Sequence, residues 1–197
     1  MSSLCHSSND HAWSATRCAA AATLVLTLTA GVVRAMTLVP MTTADMVDAA
    51  DWVVRGTVES VTTGWNESGT MVYTWTTIRV DECYGPPAKE MPAQLVICQP
   101  GGRVGDRVCV VPGLPRYRDG EDVIVFLERR TAPQAAKHAA EYMAVGAVQG
   151  KFTVTKDGLA VRNVDEAAFV TDAKVRSEMT VAELVAEISA AFEKVKR

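Results

Sequence analysis

The chain has 197 residues, with 20 Lys+Arg against 23 Asp+Glu and 48% hydrophobic side chains. A formal net charge of −3 provides no field to draw it onto nucleic acid or an anionic lipid surface. Its length suits one ordinary domain.

The first informative stretch is 19–35, AAAATLVLTLTAGVVRA, with Arg17 before it and Val33-Arg34-Ala35 at its end. A positive flank, a short apolar core and an Ala-x-Ala-like close are the layout of a secretory signal peptide. The apolar core is shorter than the roughly 20 residues a membrane-spanning helix needs. The expectation is therefore a signal peptide over 1–35 and a single domain over 36–197. The mature protein would be secreted, periplasmic or in the cell envelope, with no membrane span after cleavage. Arg17, Arg34 and Asp10 leave with the leader, as do Cys5 and Cys18. Cys83, Cys98 and Cys109 remain, in a compartment where nearby thiols tend to pair.

Valine and threonine dominate the mature chain, and β-branched side chains favour strands. Thr42 or Thr43 can cap a short helix through about Ala50, with Asp45 in its first turn. Trp52–Thr63 alternates as a strand. Val54, Gly56, Val58 and Ser60 share its buried face, and Gly56 marks a bend or close backbone approach. Asn66–Gly69 is a turn, and Asn66-Glu67-Ser68 matches a glycosylation sequon. Met71–Asp81 alternates again, and Tyr84–Pro92 is a loop. Ala93–Gln99 and Arg107–Val111 flank the glycine-rich turn at 101–105. Pro112–Gly120 is a long loop. Asp122–Glu128 is apolar almost throughout, which predicts a strand buried on both faces. Thr131–Ala140 is a polar or weakly helical excursion. Strands are expected at Tyr142–Gln149, Lys151–Thr155 and Leu159–Arg162, the last two joined at Asp157-Gly158 by a turn of type I′. Thr180 and Glu183 form a capping box for a final helix. Val181, Leu184, Val185, Ile188, Phe192 and Val195 make its apolar stripe. Short strands without a βαβ rhythm argue for a mainly β fold, a closed or nearly closed antiparallel barrel.

Chemistry is sparse. His138 is the sole histidine after Met36, and only Ser60, Ser68, Ser177 and Ser189 remain as serines. No nucleophile setting, metal motif or nucleotide fingerprint is present, so the chain reads as a non-enzyme without a cofactor. Cys98 and Cys109 flank the 101–105 turn almost symmetrically, which predicts a disulfide if their strands pair as a hairpin. Cys83 is then a buried thiol. Arg103, Arg107, Arg116 and Arg118 gather around two loops, as a solvated rim or a secondary binding loop for an anionic partner. Tyr73 and Trp75 share a strand face, where they either pack in the core or line a ligand surface.

Met36-Thr37-Leu38-Val39-Pro40 is followed eleven residues after Pro40 by Asp51-Trp52-Val53-Val54-Arg55-Gly56. With Tyr84-Gly85-Pro86, Cys109 and the apolar strand at 123–127, this order resembles the N-terminal domain of tissue inhibitors of metalloproteinases, over roughly residues 36–130. The chain also looks like small exported bacterial proteins of unassigned function that share the Val-Val-Arg-Gly strand and a Gln-Gly-Lys-Phe segment, here Gln149–Phe152. The first resemblance implies a five-stranded OB-like barrel, here with a short N-terminal helix and a C-terminal amphipathic helix. It also implies a processed N-terminus that binds the zinc of a secreted metalloproteinase. Met36 would supply amine and carbonyl, Thr37 would enter the specificity pocket, and Leu38, Val39 and Pro40 would complete the wedge. The family's first and third residues are cysteines, replaced here by Met36 and Leu38. No covalent tie is then available, and an untethered N-terminus is usually mobile. The other readings are a plain leader into the first helix and a scaffold or ligand-binding barrel without inhibitory activity.

Overall fold

The computed structural model describes residues 37–85, 91–130, 141–164, 168–170 and 175–195, all within the compact unit Ala35–Arg197. In chain order the elements are β1 (Thr37–Leu38), α1 (Thr43–Ala49), β2 (Trp52–Trp65), β3 (Val72–Tyr84), β4 (Gln94–Pro100), β5 (Gly102–Val104), β6 (Arg107–Cys109), β7 (Asp122–Arg129), β8 (Tyr142–Ala144), a 3-10 turn (Ala147–Gly150), β9 (Lys151–Val154), β10 (Leu159–Val161), β11 (Ala168–Phe169), β12 (Glu178–Thr180) and α2 (Val181–Val195). The fold is mainly β with two helices. The leader, the 131–140 excursion with His138, and the Pro86–Glu90 part of the expected loop lie outside the described residues.

β2 and β3 form a long antiparallel hairpin, extending past both expected ends to Trp65 and Tyr84. The Asn66 side chain knits its turn: Oδ1 accepts from the Thr70 and Met71 amides, and Nδ2 donates to Ser68 and Thr70. The sequon asparagine is thus committed to the turn itself. The large sheet runs β12-β10-β9-β7-β2-β3-β4-β8. β8 pairs β4 at Ile97↔Tyr142 and also pairs β7 over Leu127↔Ala144, Glu128↔Met143 and Arg129↔Tyr142. β5 and β6 make a separate hairpin, and β1 and β11 a separate parallel pair.

Two apolar clusters lie on opposite faces of the central strands. One joins Val53, Ile124, Phe126 and Phe152 to Met46 and Val47 of α1 and to Leu184, Ile188 and Ala191 of α2. The other joins Val54, Val58, Ile78, Leu95, Ile97, Val123, Val125 and Leu127. β7 is therefore covered on both sides, and Val123 through Leu127 are fully buried, as the apolar run predicts. The expected face of β2 is also observed. Gly56 lies at a β-bulge, where a Cβ would come within 2.1 Å of the Arg79 carbonyl oxygen. Only a residue without a side chain fits that approach.

Both helix caps form as expected. Thr42 and Asp45 make a reciprocal capping box for α1. Thr180 donates its amide and hydroxyl to Glu183 Oε2 at 2.8 and 2.9 Å, while the Glu183 amide returns to Thr180 Oγ1. Two strand expectations are corrected. The Tyr142–Gln149 strand ends at Ala144, because Gly146 and Ala147 both take positive φ and turn the chain into the 3-10 turn. The β9–β10 turn has positive φ at Gly158 alone, whereas type I′ needs it at two central residues. The loop is closed by hydrogen bonds between Thr155 and Leu159 and between Gly158 and Thr155, and is longer than a two-residue hairpin turn.

Candidate functional site

The N-terminal segment is tied down without a covalent link. β1 pairs β11 in parallel, Thr37↔Ala168 and Leu38↔Phe169, and the Val170 amide donates to the Leu38 carbonyl at 2.9 Å. Alternation then sorts the side chains. Leu38 is buried, Thr37 is exposed, and Val39 is 69% exposed beside Val170 at 62%. The second tie is Gln149, whose side chain is buried. Its Oε1 accepts from the Met41 amide at 2.9 Å, and its Nε2 donates to the Val39 carbonyl at 3.0 Å and the Gly146 carbonyl at 3.3 Å. A side-chain amide here replaces a neighbouring strand, satisfying one donor and one acceptor of an extended backbone.

Gln149 is aimed by its surroundings. The left-handed turn at Gly146–Ala147 directs it back at the segment, and a Cβ on Gly146 would meet Met41 Sδ at 2.7 Å. Arg162 donates to the Gln149 carbonyl at 3.2 Å and to the Arg176 carbonyl at 2.8 Å, and stacks 4.9 Å from the Phe152 ring centroid. Burial, with the nearby Arg176 charge, pulls its guanidinium down to about 10. The expectation of an untethered N-terminus is thus overturned for Thr37–Pro40, which stand as a held ridge. Met36 lies outside the described residues. Sequence reasoning placed Gln149 in a strand and missed its role. The signal was a buried, uncharged amide directly before Gly150.

The four arginines divide. Arg116 and Arg118 line a cleft of about 270 Å³ together with Leu114, Glu121, Val148 and Lys151. Arg103 lines a second groove of about 360 Å³, with Arg116 at its edge and Val108 and Val110 on its walls. Arg107 lies 5.9 Å from the Trp65 ring centroid. In the first cleft, Lys151 Nζ donates to the Arg116 carbonyl at 2.5 Å and to Glu121 Oε1 at 2.6 Å. Thr153 Oγ1 donates to the same oxygen at 2.6 Å, and the Arg118 amide donates to Glu121 Oε2 at 3.1 Å. Burial pulls the Lys151 ammonium down from its ordinary value; Glu121 opposes that shift and the Arg118 charge adds to it. The Tyr117 hydroxyl is buried with no hydrogen-bond partner among the described residues.

Tyr73 and Trp75 pack rather than face a ligand. Both are buried, 6.1 Å apart between centroids. Trp75 Nε1 donates to Glu141 Oε1 at 3.0 Å, Arg130 pairs with Glu141 at 3.6 Å, and its guanidinium sits 5.3 Å from the Tyr73 ring centroid. The predicted Cys98–Cys109 disulfide is absent. The 101–105 hairpin is shorter than its flanking cysteines suggest: Cys109 pairs with Gly102, whereas Cys98 lies back on β4 opposite Trp75. Its Sγ accepts from Arg130, and burial pushes the thiol up to about 12. Among the described residues, no group of three or more His, Cys, Asp or Glu is placed to hold a metal. Neither a family model, a curated protein nor a solved structure matches the chain.

Proposed function

We propose that this protein is an exported, non-enzymatic protein-binding domain that meets its partner through the ridge Thr37–Pro40. The observation that carries the reading is the way the ridge is held. Its backbone is fixed by β11 on one side and Gln149 on the other, while Thr37 and Val39 point outward. A segment already extended before docking loses little further entropy when it binds. The adjoining exposed Val39 and Val170 add apolar surface for a partner to cover.

The finer reading takes the sheet as an OB-like barrel and the ridge as a metalloproteinase-inhibiting wedge. Support for the barrel comes from β8, which pairs both β4 and β7, and from one apolar cluster shared by β2, β3, β4, β7 and β8. Cleavage after Ala35 would leave Met36 with a free amine. That amine and the Met36 carbonyl would take the open coordination position of a partner's catalytic zinc. Thr37 would enter the specificity pocket. Gln149 and β11 would do the work that disulfides do in the inhibitors this chain resembles.

The test uses the secreted protein. Its N-terminal residue is read by mass spectrometry, and the sample is titrated against a panel of secreted zinc metalloproteinases. The expected result is a Met36 start with inhibition that disappears when one alanine is added before Met36. A Met36 start that inhibits none of the panel overturns the wedge. The second reading, a ligand-binding domain without inhibitory activity, is favoured by the Arg116–Arg118 cleft.

A further inference from the structure

The cleft beneath the 114–118 loop has a built floor. Lys151 and Glu121 are both largely buried, with side-chain exposures of 10% and 15%, and their pair is reinforced by Thr153 and by the Arg116 carbonyl. Glu121 spends both oxygens there: Oε1 on Lys151 and Thr153, Oε2 on the Arg118 amide. The described lining therefore holds three cationic side chains against one carboxylate that is already committed. The Arg118 charge also disfavours the Lys151 ammonium, so an added negative group would relieve a repulsion within the site. The rest of the wall is apolar, from Leu114, Val148 and Val161.

We propose that this cleft binds a small organic carboxylate, its carboxylate on the Arg116 and Arg118 guanidinium groups and its apolar body against Leu114, Val148 and Val161. Guanidinium forks match a planar carboxylate by paired hydrogen bonds. A volume of about 270 Å³ suits a body of a few carbons rather than a polymer. The apolar wall selects against inorganic phosphate, which has nothing to place there. This site is independent of the ridge reading, since none of residues 37–40 lines it.

The test is an NMR titration of the full mature protein with hexanoate, run in parallel with hexanol and with inorganic phosphate. Hexanoate should give saturable shifts of the Leu114, Val148 and Val161 methyls, and hexanol none. The double variant Arg116→Gln/Arg118→Gln should weaken binding at least about tenfold. Both arginines are exposed, so the variant should keep the wild-type melting temperature, which separates lost binding from lost folding. Protein carrying an extra alanine before Met36 should bind hexanoate as the wild type does. No saturation with hexanoate, equal binding of phosphate, or unchanged affinity in the double variant overturns the proposal.

Discussion

β7 and the N-terminal ridge are held by opposite means. Val123 through Leu127 stay in place because apolar side chains cover them on both faces. Each such side chain contributes about 1.5–3 kcal/mol through burial. The ridge buries only Leu38 among its four residues and depends on hydrogen bonds to β11 and Gln149. A net hydrogen bond is worth only about 1 kcal/mol, but a buried group left unpaired costs more. The core is therefore robust in kind and local in failure, while the ridge can be released by a single amide. An exported binding surface of this sort is ordered by the fold without being part of its core.

That contrast can be broken hardest at Gly56. A valine there drives its Cβ into the Arg79 carbonyl, and the strand cannot yield without moving its partner. Gly56→Val should cost about 3–5 kcal/mol, read by chemical denaturation, and lower the yield of folded protein. Gln149→Ala comes next. It leaves the Met41 amide and Val39 carbonyl without their partner and should cost about 2–3 kcal/mol. Unlike Gly56→Val, it should also abolish partner inhibition in protein that remains folded, measured in the same enzyme panel.

Alkaline titration separates the buried thiol from both regions. The folded Cys98 thiol is raised to about 12 from an ordinary 9.0, so the unfolded chain gives up that proton first. Its contribution is intact below pH 9 and falls as pH rises towards 12, by up to about 1.4 kcal/mol per pH unit. Tyr84 and Tyr117 are raised by burial and act in the same direction. Lys151 and Arg162 are pulled down and act in the opposite one. The stability difference between wild type and Cys98→Ala cancels those other groups. It should shrink above pH 9 in denaturation curves. The smallest effect on stability belongs to Val39→Ser. At 69% exposure Val39 supports little of the fold, so stability should change by less than about 0.5 kcal/mol while partner affinity falls.

Local rules made much of this readable beforehand. The apolar run of β7, the close approach at Gly56 and the Thr180–Glu183 box each depend on a few adjacent residues. The mainly β class came from the same alternation. What stayed hidden depends on partners far apart in the chain. Leu38 meets Phe169, and Met41 meets Gln149 across 108 residues; no periodicity announces either. A two-residue strand carries no pattern at all. The Cys98–Cys109 expectation failed because a symmetric flank says nothing about where a hairpin stops pairing. Counting arginines likewise could not tell that Arg116 and Arg118 share a cleft with Lys151 while Arg107 sits over Trp65.

The most direct measurement is amide hydrogen exchange at Met41 and Val170 in the mature protein. The account predicts protection at both positions. In Gln149→Ala, Met41 should lose that protection while the β2 and β7 amides keep theirs up to the global opening limit. Exchange at Met41 and Val170 at unfolded-chain rates in the wild type would contradict it, because the ridge would then be a loose leader with no surface to present.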